Sequence, residues 1–144
     1  MKKLLLLAAS LFTAAALAEA PPIVTAEAVL GRIDAADSAL LVLDVRSPEE
    51  FAQGHLPGAT NIAYDQVESR LGELAGARDK DIVLYCRSGR RAAVAAETLA
   101  LAGFTRLSQL EGDYPAWDAA GLPTERPAGA ALPAAVVISA PPAP

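Results

Sequence analysis

The chain has 144 residues, room for one modest domain with appendages, and its 53% apolar content is enough for a true core. With 17 acidic residues against 12 basic ones, a net charge of -5, it carries no basic stripe of the kind a nucleic-acid surface needs. One Cys and one His fall short of the four ligands of a structural zinc site, and no phosphate loop or dinucleotide fingerprint is present, so neither a metal nor a cofactor is expected.

Residues 1–18 read as a secretory signal peptide. Met1-Lys2-Lys3 is a basic lead, Leu4 to Leu17 is apolar apart from Ser10 and Thr13, and Ala16-Leu17-Ala18 is a small-x-small cleavage site. A membrane-spanning helix would need ~20 apolar residues, which this run does not reach. Removal of Lys2 and Lys3 leaves a mature net charge of -7. The expected product is exported across the inner membrane, is periplasmic, and makes no membrane contact after cleavage.

Residues 19–123 alternate short apolar runs with helical patterns. Ile23-Val24 is a brief strand, and Thr25 caps a helix through about Ile33 with Glu27 in its first turn. Leu40 to Leu43 is continuously apolar, as a strand buried on both faces would be, and ends at Asp44-Val45-Arg46. Ser47-Pro48-Glu49-Glu50 starts a helix with a capping box and Pro at the first position, and Gly54 stops it. His55 to Gly58 is a turn and Thr60-Asn61-Ile62 a brief strand. Val67, Leu71 and Leu74 give Gln66 to Leu74 helical spacing. Asp81 to Tyr85 is a second buried strand that runs into Cys86. Arg90 to Ala102 is an Ala-rich, largely buried helix with Gly103 at its end. Arg106 to Leu110 is a strand, and Tyr114 to Ala120 a last short helix closed by Gly121. Such alternation predicts an α/β fold, a parallel sheet with helices on both faces. Residues 124–144, with five Pro, seven Ala and little charge, are expected to be a disordered or loosely docked tail.

The informative stretch is Tyr85-Cys86-Arg87-Ser88-Gly89-Arg90-Arg91. In open α/β sheets ligands bind beyond the carboxyl ends of the strands, where this loop lies. The following helix offers unpaired N–H groups and a positive dipole end, Gly89 lets the backbone curl into an anion nest, and Arg87, Arg90 and Arg91 add positive charge. Each favours a thiolate at Cys86, and each also favours an anionic substrate. A buried apolar cysteine is the bland alternative. The arginines argue against it, as does the exposure of a lone thiol to an oxidising compartment.

Three blocks then resemble the signatures of single-domain rhodaneses. They are Asp44 to Phe51, Gly54 to Ala59 and Tyr85 to Arg91; Gly103-Phe104 and Leu110-Glu111-Gly112 through Trp117 also match. The resemblance covers about residues 23–123 and implies a rhodanese-like fold with a central parallel five-stranded sheet flanked by helices. It also implies a thiosulfate sulfurtransferase. Cys86 would attack the outer sulfur of thiosulfate, release sulfite, and pass its persulfide sulfur to cyanide or a thiol, a protein thiol included. Arg87, Ser88, Gly89, Arg90 and Arg91 would form the substrate-binding loop. Asp44 would organise hydrogen bonds, and Arg46 would be its ion-pair partner or a substrate contact. Dual-specificity phosphatases and arsenate reductases of related fold carry their anion-gripping Arg six positions after the Cys; here position six is Ala92 and Arg91 stands at five. Many rhodaneses have a Ser at the Ala92 position, a departure that bears on rate. The alternatives are a catalytically idle rhodanese module that binds protein, or a phosphatase-like or arsenate-reductase-like enzyme. His55, the only histidine, belongs to a packing turn and is not assigned as a base; Tyr114 and Trp117 are expected to pack.

Overall fold

A computed structural model describes residues 19–129. The expected signal peptide, residues 1–18, and residues 130–144 of the tail lie outside the described residues. Five strands and four α-helices alternate: β1 (Ile23–Val24), α1 (Ala26–Asp34), β2 (Leu40–Asp44), α2 (Pro48–Gln53), β3 (Thr60–Asn61), β4 (Asp81–Tyr85), α3 (Arg90–Leu101), β5 (Leu107–Leu110) and α4 (Asp113–Ala119). The sheet order is β1-β5-β4-β2-β3 and every pairing is parallel. β4 is the central strand, and its apolar run follows from burial on both faces.

Side-chain alternation along β4 assigns each face. Ile82, Leu84 and Cys86 join Leu43, Ala92, Ala95, Leu99 and Phe104 in one core beneath α3. Val83 and Tyr85 join Val29, Leu56, Leu110 and Trp117 in the other, beneath α1 and α4. Cys86 thus continues the period-2 pattern of its strand onto the α3 side.

The helix starts obey the sequence. Thr25 Oγ1 accepts the Ala28 N–H at 3.2 Å. Ser47 Oγ accepts the Glu50 N–H at 3.2 Å while Glu50 Oε2 accepts the Ser47 N–H at 3.0 Å, a complete capping box. The stretch after β3 departs from expectation. It forms 3₁₀ turns at Tyr64–Gln66 and Glu68–Ala77 rather than an α-helix, with non-helical backbone at Arg70. Gly72 and Gly76 lower helix propensity there, and no side chain caps the start. Val67 and Leu74 are still buried as the spacing requires.

The chain stays docked past Pro123. His55 and Glu125 exchange backbone hydrogen bonds of 3.0 and 2.9 Å, and Arg126 Nε donates to the Gln53 carbonyl at 2.7 Å. Trp117, fully buried, donates its indole N–H to the Pro123 carbonyl. Among the described residues no helix is long and apolar enough to cross a membrane.

Candidate active site

Cys86 ends β4 at the carboxyl edge of the sheet, where the chain turns sharply into α3. The turn depends on Gly89, whose φ of +83° lies in the left-handed region. A Cβ there would stand 2.5 Å from Gln109 Nε2 and 3.2 Å from Asp113 Oδ2, so the backbone angle demands glycine and a larger residue would also have to displace the Gln109 amide. The curl points the Gly89 N–H back at the thiol: Cys86 Sγ accepts it at 3.0 Å. Gly89 is also the N-cap of α3 and offers no capping side chain, and no acidic residue sits in the first turn. The N-terminal N–H groups of α3 therefore meet no side-chain acceptor from their own cap, the condition under which a helix start favours an anion.

The three loop arginines divide into two kinds. Arg91 is half-buried and grips Glu50 with both nitrogens, at 2.7 and 2.9 Å. Hydrogen bonding to Arg91 pulls the Glu50 carboxyl down to about 2. The same bond, against some desolvation, raises Arg91 above its ordinary value, and attraction to the Cys86 sulfur adds a smaller part. Arg87 and Arg90 are exposed, as is Ser88, and neither arginine has an ion-pair partner among the described residues. The loop thus combines one fixed cation near the sulfur with two free ones at the rim.

Cys86 itself is fully buried. Some part of the loop or its rim has to move before any reagent reaches Sγ, and the exposed Arg87, Ser88 and Arg90 are the side chains least tied down.

Asp44 and Arg46, at the end of β2, form a separate unit. Both are buried. Arg46 Nε donates to the two Asp44 oxygens at 3.0 and 3.1 Å, Nη2 donates to the Gly54 carbonyl at 2.7 Å, and the guanidinium lies 4.0 Å over the Tyr114 ring. Burial works against the Arg46 charge, but the Asp44 hydrogen bonds outweigh it and hold the group above its ordinary value. Arg46 is thus an ion-pair partner that fastens the Gly54 turn to the sheet. Burial pushes the neighbouring Tyr85 phenol up, and its oxygen accepts the Leu56 N–H. His55 stacks on Phe51 at 3.6 Å between ring centres and uses Nδ1 on the Phe51 carbonyl, consistent with packing.

Two groups at the site escape the sequence reading. Glu50 is visible there only as a helix cap, not as the holder of Arg91. Asp113 is missed altogether: its Oδ1 accepts the Cys86 N–H at 2.9 Å. The signal, an Asp directly after Gly112 at the mouth of a short helix, is legible only once that helix is known to meet the loop. Among the described residues no group of three His, Cys, Asp or Glu side chains is placed to hold a metal.

Comparison with known proteins agrees with this geometry. Residues 25–120 match the family described as Rhodanese-like domain. A protein named Sulfurtransferase from Allochromatium vinosum is 38% identical over 90 residues, covering 62% of this chain and 82% of its own. Thiosulfate sulfurtransferase 16, chloroplastic, from Arabidopsis thaliana is 39% identical over 98 residues, covering 58% and 78%. The crystal structure of the Alr3790 protein from Anabaena sp. superposes with a TM-score of 0.65 at 29% identity over 72% of this chain and 81% of that one. With a five-stranded parallel sheet and a cysteine loop at its carboxyl edge, this chain belongs to the rhodanese-like domain family, which includes sulfurtransferases.

Proposed function

We propose that the protein is a thiosulfate sulfurtransferase that carries sulfur as a persulfide on Cys86. The observation that carries this reading is the Gly89 N–H held against Cys86 Sγ at 3.0 Å, in a loop rimmed by Arg87 and Arg90. The Cys86 thiolate attacks the outer sulfur of thiosulfate; the S–S bond breaks and its electron pair leaves with sulfite. Cyanide or a thiol then attacks the outer persulfide sulfur, taking it as thiocyanate or a new persulfide and returning the thiolate. N–H groups of the loop and of the α3 start favour the anionic sulfur at each stage, because they are fixed before the charge arrives. The arginines attract the sulfonate end of the donor. The leader pattern of residues 1–18 supports a periplasmic setting, and the acceptors the chemistry allows are cyanide and a thiol, a protein thiol included.

Intact-protein mass before and after thiosulfate, with cyanide added last, tests the proposal. The expected result is a gain of one sulfur atom that cyanide removes and that Cys86→Ser lacks. No gain on the reduced protein would remove thiosulfate as donor, and failure with other sulfane-sulfur donors as well would favour the idle protein-binding module.

A further inference from the structure

Directly behind the Cys86 loop lies a carboxylate that the chemistry above does not use. Asp113 opens α4 with φ +54°, a left-handed conformation that costs any residue with a Cβ, though Asn and Asp least. It is 6% exposed. Oδ1 accepts the Cys86 N–H at 2.9 Å, while Oδ2 packs under Gly89 and lies 3.5 Å from Gln109 Nε2. The next residue completes the grip, since the Tyr114 N–H donates to the Cys86 carbonyl at 3.0 Å. Both polar groups of the Cys86 backbone are therefore held by the start of α4. No Lys or Arg among the described residues forms an ion pair with Asp113. A strained, buried and unpaired carboxylate held at this point suggests a functional use for the strain.

We propose, resting on the reading of Cys86 as the sulfur-carrying nucleophile, that Asp113 is a positioning residue that anchors the nucleophile from behind and opposes the loop arginines with its charge. The anchoring step is geometric. With the Cys86 N–H committed to Asp113, the peptide cannot swing, and Sγ stays aimed at the Gly89 N–H. The electrostatic step is a balance among the charges gathered at this edge of the sheet. From α3 comes Arg91, already shared with Glu50 of α2. The loop supplies Arg87 and Arg90, both at the rim. From β2 come Asp44 and Arg46, which pair with each other. From α4 comes Asp113, with the neutral Gln109 of β5 and the Tyr114 phenol beside it. Asp113 is the one buried anion of this set without a cationic partner. Its negative charge repels a negative sulfur close by, so a variant without that charge should form the thiolate more easily.

The test is the pH dependence of iodoacetamide alkylation of Cys86 in the reduced full chain, read by intact mass, beside sulfur loading from thiosulfate. Asp113→Asn keeps an acceptor oxygen for the Cys86 N–H and tolerates the left-handed backbone, so it removes only the charge. Its alkylation midpoint is expected to fall by about two pH units, the scale of one charge ~6 Å away at an effective dielectric near ~20. Asp113→Gly keeps the backbone angle but removes the acceptor. It is expected to remain folded by thermal melting and to load sulfur about tenfold more slowly, the order lost when a nucleophile is slightly misplaced. An Asn midpoint within about 0.2 units of the wild type overturns the charge role. A Gly variant that loads sulfur at the wild-type rate overturns the anchoring role. If the wild type takes no sulfur from thiosulfate while the Asn variant still moves the midpoint, the donor assignment fails and the role of Asp113 stands.

Discussion

Glu50 and Arg91 join two parts of the molecule that are 41 residues apart in sequence. Glu50 caps α2 by accepting the Ser47 N–H, and with the same carboxylate it takes two hydrogen bonds from Arg91, the second residue of α3. The bidentate fork fixes the Arg91 guanidinium in a way a single-point contact would not. Loss of the Glu50 side chain therefore releases a cation beside Cys86 and opens one half of the α2 capping box in one step.

Glu50→Gln is expected to destabilise the protein by about 1–2 kcal/mol at pH 7, after allowance for solvent screening at a partly exposed pair. The pH dependence has a definite sign. The folded-state carboxyl sits at about 2, below its ordinary value of 4.5, so its contribution is complete above about pH 4.5 and is lost as pH falls toward 2. Urea denaturation of wild type and variant at pH 7, 4 and 2.5 checks this. The gap between them should close across that range, and a gap independent of pH would assign the effect to the helix cap alone.

Arg46 makes a harsher prediction because both partners are buried. Arg46→Met removes the cation but leaves Asp44, 0% exposed, inside the sheet without its counter-charge, and it frees the Gly54 carbonyl. Breaking a buried pair from one side costs about 3–5 kcal/mol, because an uncompensated charge remains. Asp44→Asn together with Arg46→Met should recover part of the loss. A fall of several degrees in Tm for the single variant, relieved in the double, is the expected pattern; equal Tm values for wild type and single variant would deny the pair its structural role.

These contrasts mark what the sequence could and could not convey. Strands β2 and β4 were legible because burial on both faces leaves a continuous apolar run, and α2 because Ser47, Pro48 and Glu50 are local signals within four residues. The Cys86 loop was legible for the same reason: Gly89 and the arginines sit beside the cysteine in sequence. The helix expected over Gln66 to Leu74 is instead 3₁₀ because apolar spacing of three to four residues serves a 3₁₀ turn as well as an α-helix, and the glycines that decide between them act by weakening rather than forbidding. Glu50 to Arg91 and Asp113 to Cys86 were invisible because they join elements across the sheet. Only the strand order brings α2 and α4 to the same edge as α3.

Gly89→Ala isolates the curl of the loop. The new Cβ would press on Gln109, whose amide end can yield, but the φ of +83° cannot be relieved without moving the Gly89 N–H. The expected stability cost is modest, about 1–2 kcal/mol for a left-handed non-glycine residue. Activity should fall further, by tenfold or more, because the N–H that meets Sγ shifts with the backbone. Thermal melting set against sulfur loading separates the two effects. A variant whose activity falls no more than its stability explains would show that the contact between Gly89 and Cys86 has no chemical use.

Arg87 and Arg90 should behave in the opposite manner, altering substrate capture and leaving the fold alone. Both are exposed and unpaired among the described residues, so substitution by Ala should change stability by no more than about 0.5 kcal/mol. On a chain with excess negative charge these two cations are the groups that would draw the sulfonate of the proposed donor to the loop. Each Ala variant is expected to raise KM for thiosulfate by about three- to tenfold with a smaller effect on kcat, and the difference from wild type should shrink as salt is raised toward ~0.5 M, where the Debye length falls to a few ångströms. Steady-state transfer to cyanide at several ionic strengths measures this. A KM that does not move, or a loss insensitive to salt, would place substrate attraction with Arg91 and the α3 start instead.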